Sequence, residues 1–360
     1  MPLMQSAHSG HKANSFALLF LLKRVGRNLG AGTKYFQKNR IKFCLPKMGI
    51  NPFNSKWKAG NLPKYQYFSY LCRLNCLTIK NILTEMAKTK LLFITHEMSP
   101  FLELTKIAEI TRKLPQAMQD KGLEIRILMP RFGNINERRN RLHEVIRLSG
   151  MNIIIDDNDN PLIIKVASIP AARMQVYFLD NEDYFQRKHV FADGNNKFFA
   201  DNDERTIFFC KGALETVKKL GWSPDVVHCH GWMTALVPAY MKTVYKEDPT
   251  YKNAKVVYSV YGEDAFEGNL HTDFARKALM NGMDATHTDL YKAADVTSLH
   301  QGAIHYSDAV VYGSEQINEE LLKFVKKTNK PVLEYISTAD FENYYNLYQE
   351  ISNDELVSLA

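Results

Sequence analysis

Several features are scarce in this 360-residue chain, and each scarcity removes a class of function. No run reaches the 18 to 20 apolar residues of a membrane-spanning helix, so the reading is a globular protein without membrane contact. Cysteines number five, at positions 44, 72, 76, 210 and 229. Cys72 and Cys76 have no second pair to complete a zinc site, so no metal and no disulfide framework is expected, and reduced thiols fit a cytoplasmic protein. Acidic residues are nearly missing from Met1 to Glu85, which carries 14 Lys and Arg against one acidic residue, hence +13. The rest, with 32 basic against 38 acidic residues, stands at −6, so the net +7 does not describe a basic folded surface and no nucleic-acid partner is expected. No internal repeat is visible.

Residues 1–85 also lack a sustained hydrophobic period, and they read as a basic leader, disordered or an over-extended start, with Met86 as the natural beginning. A targeting signal with Ser15 to Leu22 as its apolar core is the rival reading, but Lys23 and Arg24 follow at once and no small-residue cleavage site is evident. A basic nucleic-acid tail lacks any repeated motif to support it.

From Lys88 the pattern alternates strand and helix, as at the start of a parallel sheet. Leu91 to Thr95 reads as a strand, Ile107 to Lys121 as a helix stopped by Gly122, and Glu124 to Met129 as a strand closed by Pro130. Leu162 to Ile169 and Met174 to Leu179 predict an inserted β-hairpin around 170–173, preceded by a turn at Asp156 to Asn160. A helix over Glu204 to Leu220 ends at Gly221, and later strands fall at Val256 to Val260 and Ala309 to Tyr312. The expected fold is α/β: one Rossmann-like domain over 86–332, followed at 333–360 by a closing helix and tail. Phe341, Tyr344, Tyr345 and Tyr348 share one helical face there, a stripe that reads as core packing against the sheet.

The most informative stretch is Pro224 to Lys242, PDVVHCHGWMTALVPAYMK. Val226 to Cys229 reads as a buried parallel strand and Thr234 to Tyr245 as the following helix, which sets His230 and Gly231 at the strand's carboxyl end. In open α/β sheets that edge is where ligands bind, so His230 is placed to hydrogen-bond a sugar hydroxyl or phosphate, or to move a proton. A histidine that merely satisfies a loop carbonyl fits the local sequence as well.

This stretch resembles the HxHDWxTxLxPxYLK motif of bacterial glycogen and plant starch synthases, the family 5 glycosyltransferases with the two-domain GT-B fold. His96 to Phe132, Asp201 to Glu215 and Lys255 to Gly268 keep the family's order and spacing, and Gly302 to Glu315 is a weaker match to GxxYADxVTTVSP. The resemblance implies an isolated amino-terminal, acceptor-side GT-B half, because about 200 more residues are expected for the donor-binding half and only some 30 follow Pro331. It implies glucose transfer from ADP-glucose to an α-1,4-glucan, with no further cofactor, and it places His230 on the family's active-site histidine.

Asp201 and Arg205 match the family's DNxERF on the acceptor and glucose side, while a helix N-cap with an internal ion pair explains them equally. Departures from the pattern are specific. The family's Lys-Thr-Gly-Gly-Leu phosphate loop corresponds here to Glu103, Leu104, Thr105, Lys106 and Ile107; the Asp of HDW is Gly231, and its IHN pair is Tyr261-Gly262. A glutamate beside a diphosphate opposes transfer, and Lys106, three positions on, reads as solvated unless it swings in. Two functions stay open: a synthase half, inactive as a single chain, whose donor half is a separate polypeptide or whose activity is weak, or a non-catalytic module that binds glycogen or maltooligosaccharide or regulates storage-polysaccharide metabolism.

Overall fold

The computed structural model describes residues 88–357 except 170, 171, 173, 264, 267 and 337–340, and for 353–357 the backbone alone. The leader, the targeting segment and the start at Met86 lie outside the described residues, as does most of the expected hairpin turn at 170–173.

Ten strands form one sheet: β1 (Lys90–Thr95), β2 (Glu124–Pro130), β3 (His143–Glu144), β4 (Met151–Ile155), β5 (Asn158–Ile169), β6 (Met174–Asp180), β7 (Val226–His230), β8 (Lys255–Val260), β9 (Ala309–Tyr312) and β10 (Val332–Leu333). Their order is β10-β9-β8-β7-β1-β2-β6-β5-β3, with β4 paired to β5. Every pair from β10 to β6 is parallel, and β5 runs antiparallel to β6, β3 and β4. The inserted hairpin is therefore present as β5 and β6, and β4 extends it. The turn from β4 to β5 is tighter than Asp156 to Asn160, because Asp156 and Asp157 both take positive φ (46° and 64°) and the strand resumes at Asn158.

The long parallel strands are apolar runs buried on both faces, as doubly covered strands must be. The helices covering them include α1 (Ile107–Asp120), α2 (Asn202–Leu220), α3 (Leu236–Lys242), α4 (Val296–Tyr306), α5 (Glu319–Thr328) and α6 (Glu342–Val357). Glycines close α1 and α2, Gly122 at φ 94° and Gly221 at φ 63°, a left-handed stop that L side chains rarely adopt. The expected helix over Thr234 to Tyr245 divides into a 3-10 turn at Trp232–Thr234 and α3. Pro238 has no N–H to give to the carbonyl of Thr234, so a regular helix begins only at Leu236, where the proline falls within the first turn.

Helix α6 packs on the sheet through its aromatic stripe, with Tyr344 and Tyr348 buried. Tyr348 Oη lies 2.7 Å from His228 Nδ1, and His228 Nε2 lies 2.7 Å from Ser259 Oγ. A neutral imidazole donates at one nitrogen and accepts at the other, so this chain satisfies both. Tyr348→Phe leaves one ring nitrogen unpaired in the core and is expected to cost about 1–3 kcal/mol, read as a lower urea midpoint at unchanged slope. A change below the error of the measurement would mean that the hydroxyl only fills space.

The strand order places β1 at the centre, with β2 on one side and β7 on the other. Their carboxyl ends bound the crevice where chain connections diverge, the place a doubly wound sheet offers a ligand.

Candidate functional site

Three adjacent strands bring their carboxyl ends to this edge in register: Thr95 of β1 pairs with His230 of β7, which pairs with Ser259 of β8. His230 is wholly buried, with its ring stacked at 26° on Phe93 and 4.0 Å from the ring of His228. Its Nδ1 lies 2.7 Å from Tyr261 Oη, and its Nε2 has no partner among the described residues. Burial, helped by His96, pulls the His230 pKa down to about 3, so the ring is neutral near pH 7 and presents one uncommitted nitrogen. Tyr261, which stands where the resemblance has the histidine of IHN, is thus joined directly to His230.

His96, directly after β1, is a member that sequence reasoning missed. It is fully buried, neither ring nitrogen has a hydrogen-bond partner among the described residues, and Nε2 is 3.5 Å from Glu97 Oε1. Phe191 meets it edge-on at 5.6 Å and Trp232 tilts against it at 6.3 Å. The available signal was a titratable side chain immediately following the central strand. Gly231 faces this ring. With φ 77° and ψ 165° it occupies a region open essentially to glycine alone, and a Cβ there would stand 2.3 Å from His96 Cε1. Where the resemblance has an aspartate, the imidazole of His96 takes the space.

Glu97 organises the loop that follows. One carboxylate oxygen accepts from the backbone N–H groups of Leu104 (2.6 Å) and Thr105 (2.9 Å), and the other from Thr105 Oγ1 (2.5 Å). Burial opposes its ionisation, but His96 and these hydrogen bonds outweigh it and hold the carboxyl below its ordinary range. The amides that a phosphate loop would offer to a ligand are therefore occupied by an internal carboxylate. Glu103 and Lys106 are exposed, in contrast with the buried histidines; Glu103 accepts from Ser99 Oγ at 2.7 Å, and Lys106 sits at the N-cap of α1.

Asp201 stands at the N-cap of α2, but its carboxylate makes no cap and pairs with Arg187 (Nη1 to Oδ1, 2.8 Å). The expected ion pair with Arg205 is replaced by this one. Arg205 is completely buried; its Nε donates to the Tyr184 carbonyl and its Nη1 to Asn202 Oδ1, while Nη2 has no partner among the described residues. Phe132, Phe185, Phe191 and Phe199 lie within 6.0 Å of its guanidinium. Burial lowers it to about 9, which leaves it charged at neutral pH. Phe191 touches both Arg205 and His96, so the DNDER segment and the His230 edge share one aromatic wall, which Trp232, Phe198 and Phe266 continue.

Beside this buried knot a cavity of about 350 Å³ opens at the ends of β8 and β9. Tyr261, Gly262, Glu263, Phe266, His300 and Asn318 are among its walls, which carry a carboxylate and, among the described residues, no lysine or arginine. Such a lining is poor for a diphosphate and suited to hydroxyl groups against aromatic rings. Tyr261 belongs to both parts, lining the cavity and meeting His230 through its hydroxyl. Among the described residues no group of three His, Cys, Asp or Glu side chains is arranged to hold a metal ion, and no helix is long and apolar enough to cross a membrane.

Comparison with known proteins gives this geometry its relatives. The chain is 38% identical over 218 residues to the glycogen synthase of Chlorobium limicola, covering 60% of this chain and 44% of that one. It is 36% identical over 240 residues to the glycogen synthase of Chlorobaculum tepidum, covering 65% and 47%. It thus spans less than half the length of these curated relatives. The fold is similar to that of the catalytic domain of starch synthase IV from Arabidopsis thaliana bound to ADP and acarbose, with a TM-score of 0.56 at 18% identity over 72% of this chain and 53% of that one. Residues 90–333, the whole of the sheet described above, match the family described as the starch synthase catalytic domain, and to that family the chain belongs.

Proposed function

We propose that this chain forms the acceptor-side wall of a glycogen or starch synthase: it binds an α-1,4-glucan at the cavity beside Tyr261, and glucose arrives from ADP-glucose held by the donor-binding half of such an enzyme. The observation that carries this reading is the hydrogen bond between Tyr261 and His230, which links a cavity without lysine or arginine among its described residues to a neutral buried imidazole at the crevice of a family member's sheet. A neutral ring suits the transfer, since it can donate to a sugar hydroxyl without adding charge, whereas the departing diphosphate needs cations that this wall does not provide. Cytoplasmic action on storage glucan accords with this role.

A second reading has its own support. Glu97 occupies the loop amides and Glu103 adds a carboxylate to the same loop, which favours a non-catalytic glucan-binding module. Both readings require the glucan. Titration calorimetry with maltoheptaose is expected to give a dissociation constant in the millimolar range, about −4 kcal/mol, weakened in Tyr261→Ala. No heat up to tens of millimolar (about ten dissociation constants) would remove both. Glucose incorporation from labelled ADP-glucose by the chain alone, abolished in His230→Ala, would instead show that no second half is needed.

A further inference from the structure

A second cavity, of about 550 Å³, shares no residue with the one at Tyr261. It lies between β4, the middle of α2 and the segment around Leu279, with Ile153, Ile154, Val244, Leu279 and Met280 as its apolar wall. Ile154 is 60% exposed there, unusual for a large aliphatic side chain on a strand. Into this wall α2 places Lys211, which is only 5% exposed.

The charges around Lys211 do not balance it. Asp156 is held by Arg276 through two hydrogen bonds, and Glu215 by the Tyr245 hydroxyl and Lys218. Lys277, also in the lining, is paired with Asp203 and Glu204, and Asp157 stands exposed in the β4–β5 turn. Lys211 meets no carboxylate among the described residues; its ammonium donates to the carbonyl of Ile154 at 3.1 Å and, at the limit of contact, to that of Leu279 at 3.5 Å. An ammonium has three donors, so one remains for whatever enters. Burial alone lowers its pKa to about 8, the expected response of a cation without a counter-ion. A buried uncompensated cation is costly to the folded protein, and an anion in the adjoining space relieves that cost. A cavity of this size with an apolar wall and one such group has the composition of a small-ligand site.

We propose that this cavity binds a small amphiphilic anion, with its carboxylate or phosphate monoester on Lys211 and its apolar body on Ile153, Ile154, Val244, Leu279 and Met280. The assignment is independent of glucan binding. Calorimetric titration of the full chain with hexanoate and with hexyl phosphate tests it, with 1-hexanol and inorganic phosphate as the apolar and charged halves of the probe. Both anionic amphiphiles are expected to bind, each half at least about tenfold more weakly, and Lys211→Met to weaken the anions about tenfold while leaving hexanol unchanged. Ile154→Asp, at an exposed position that leaves the core intact, is expected to give the same loss by repulsion and decides the matter should Lys211→Met not fold. Equal affinity for hexanol and hexanoate, inorganic phosphate as tight as hexyl phosphate, no binding of either amphiphile, or unchanged anion affinity in a folded variant would overturn the site.

Discussion

Introducing the family's aspartate, Gly231→Asp, is expected to destabilise the protein by about 2–6 kcal/mol instead of restoring a functional side chain. Two costs combine. The backbone at φ 77° and ψ 165° is strained for any L residue, about 1–3 kcal/mol. The new Cβ also falls 2.3 Å from His96 Cε1, in a ring that Phe191 and Trp232 prevent from retreating, and overpacking of that kind costs about 1–3 kcal/mol more. The double variant with His96→Ala separates the terms: it relieves the clash and keeps the strain, so urea unfolding should return only part of the loss. A Gly231→Asp protein within about 1 kcal/mol of the parent would show that the loop re-forms around the aspartate and that His96 does not define this crevice.

Mild acid is expected to remove about 4 kcal/mol of stability between pH 7.5 and 5, through His228 and His230 together. Burial, with His230 beside it, keeps the pKa of His228 well below its ordinary 6.5, and burial with His96 keeps that of His230 at about 3. In the unfolded chain both return to about 6.5. Above that value neither state carries the proton, and the contribution is fully present. Below it the unfolded chain binds protons that the folded chain refuses, so stability falls by about 1.4 kcal/mol per pH unit for each ring, until His230 itself titrates near pH 3. Glu97, held below its ordinary range, contributes stability that is lost only at lower pH, below about 4.5. Against a total of about 5–15 kcal/mol the loss is large. Urea midpoints at pH 7.5 and 5.0 measure it, and His228→Gln and His230→Gln should each flatten the dependence. Equal slopes in parent and variants would assign the acid sensitivity to other groups.

The sheet was legible because its signals are local. Leu91 to Thr95, Val226 to Cys229 and Ala309 to Tyr312 each sit within a residue of the observed strands, since continuous apolar runs bounded by turns leave little else to form. The reading passed over β4 and α5, the first a short MNIII segment paired to β5, the second beyond the motifs singled out. The site was legible by residue and not by arrangement. His230 and Tyr261 were both singled out, but their bond joins positions 31 residues apart, and His228 meets Tyr348 across 120. Nothing in the sequence near Asp201 announces that Arg187, not Arg205, takes its carboxylate, because Arg205 turns into a cage of phenylalanines drawn from several segments. His96 escaped for the converse reason: alone it is an ordinary residue after a strand, and only Gly231, far along the chain, reveals the space it fills.

The carboxylate of Glu97 makes the loop at Leu104 and Thr105 a receptor that already carries its own tethered ligand. Seven or eight residues of chain hold that ligand at an effective concentration in the millimolar range or above, so an incoming diphosphate meets a resident competitor before it meets an amide. Displacement must strip a buried carboxylate of its donors, and protonation is the cheapest way to release it. Anion capture by this loop would therefore draw a proton from solution and strengthen as the pH falls.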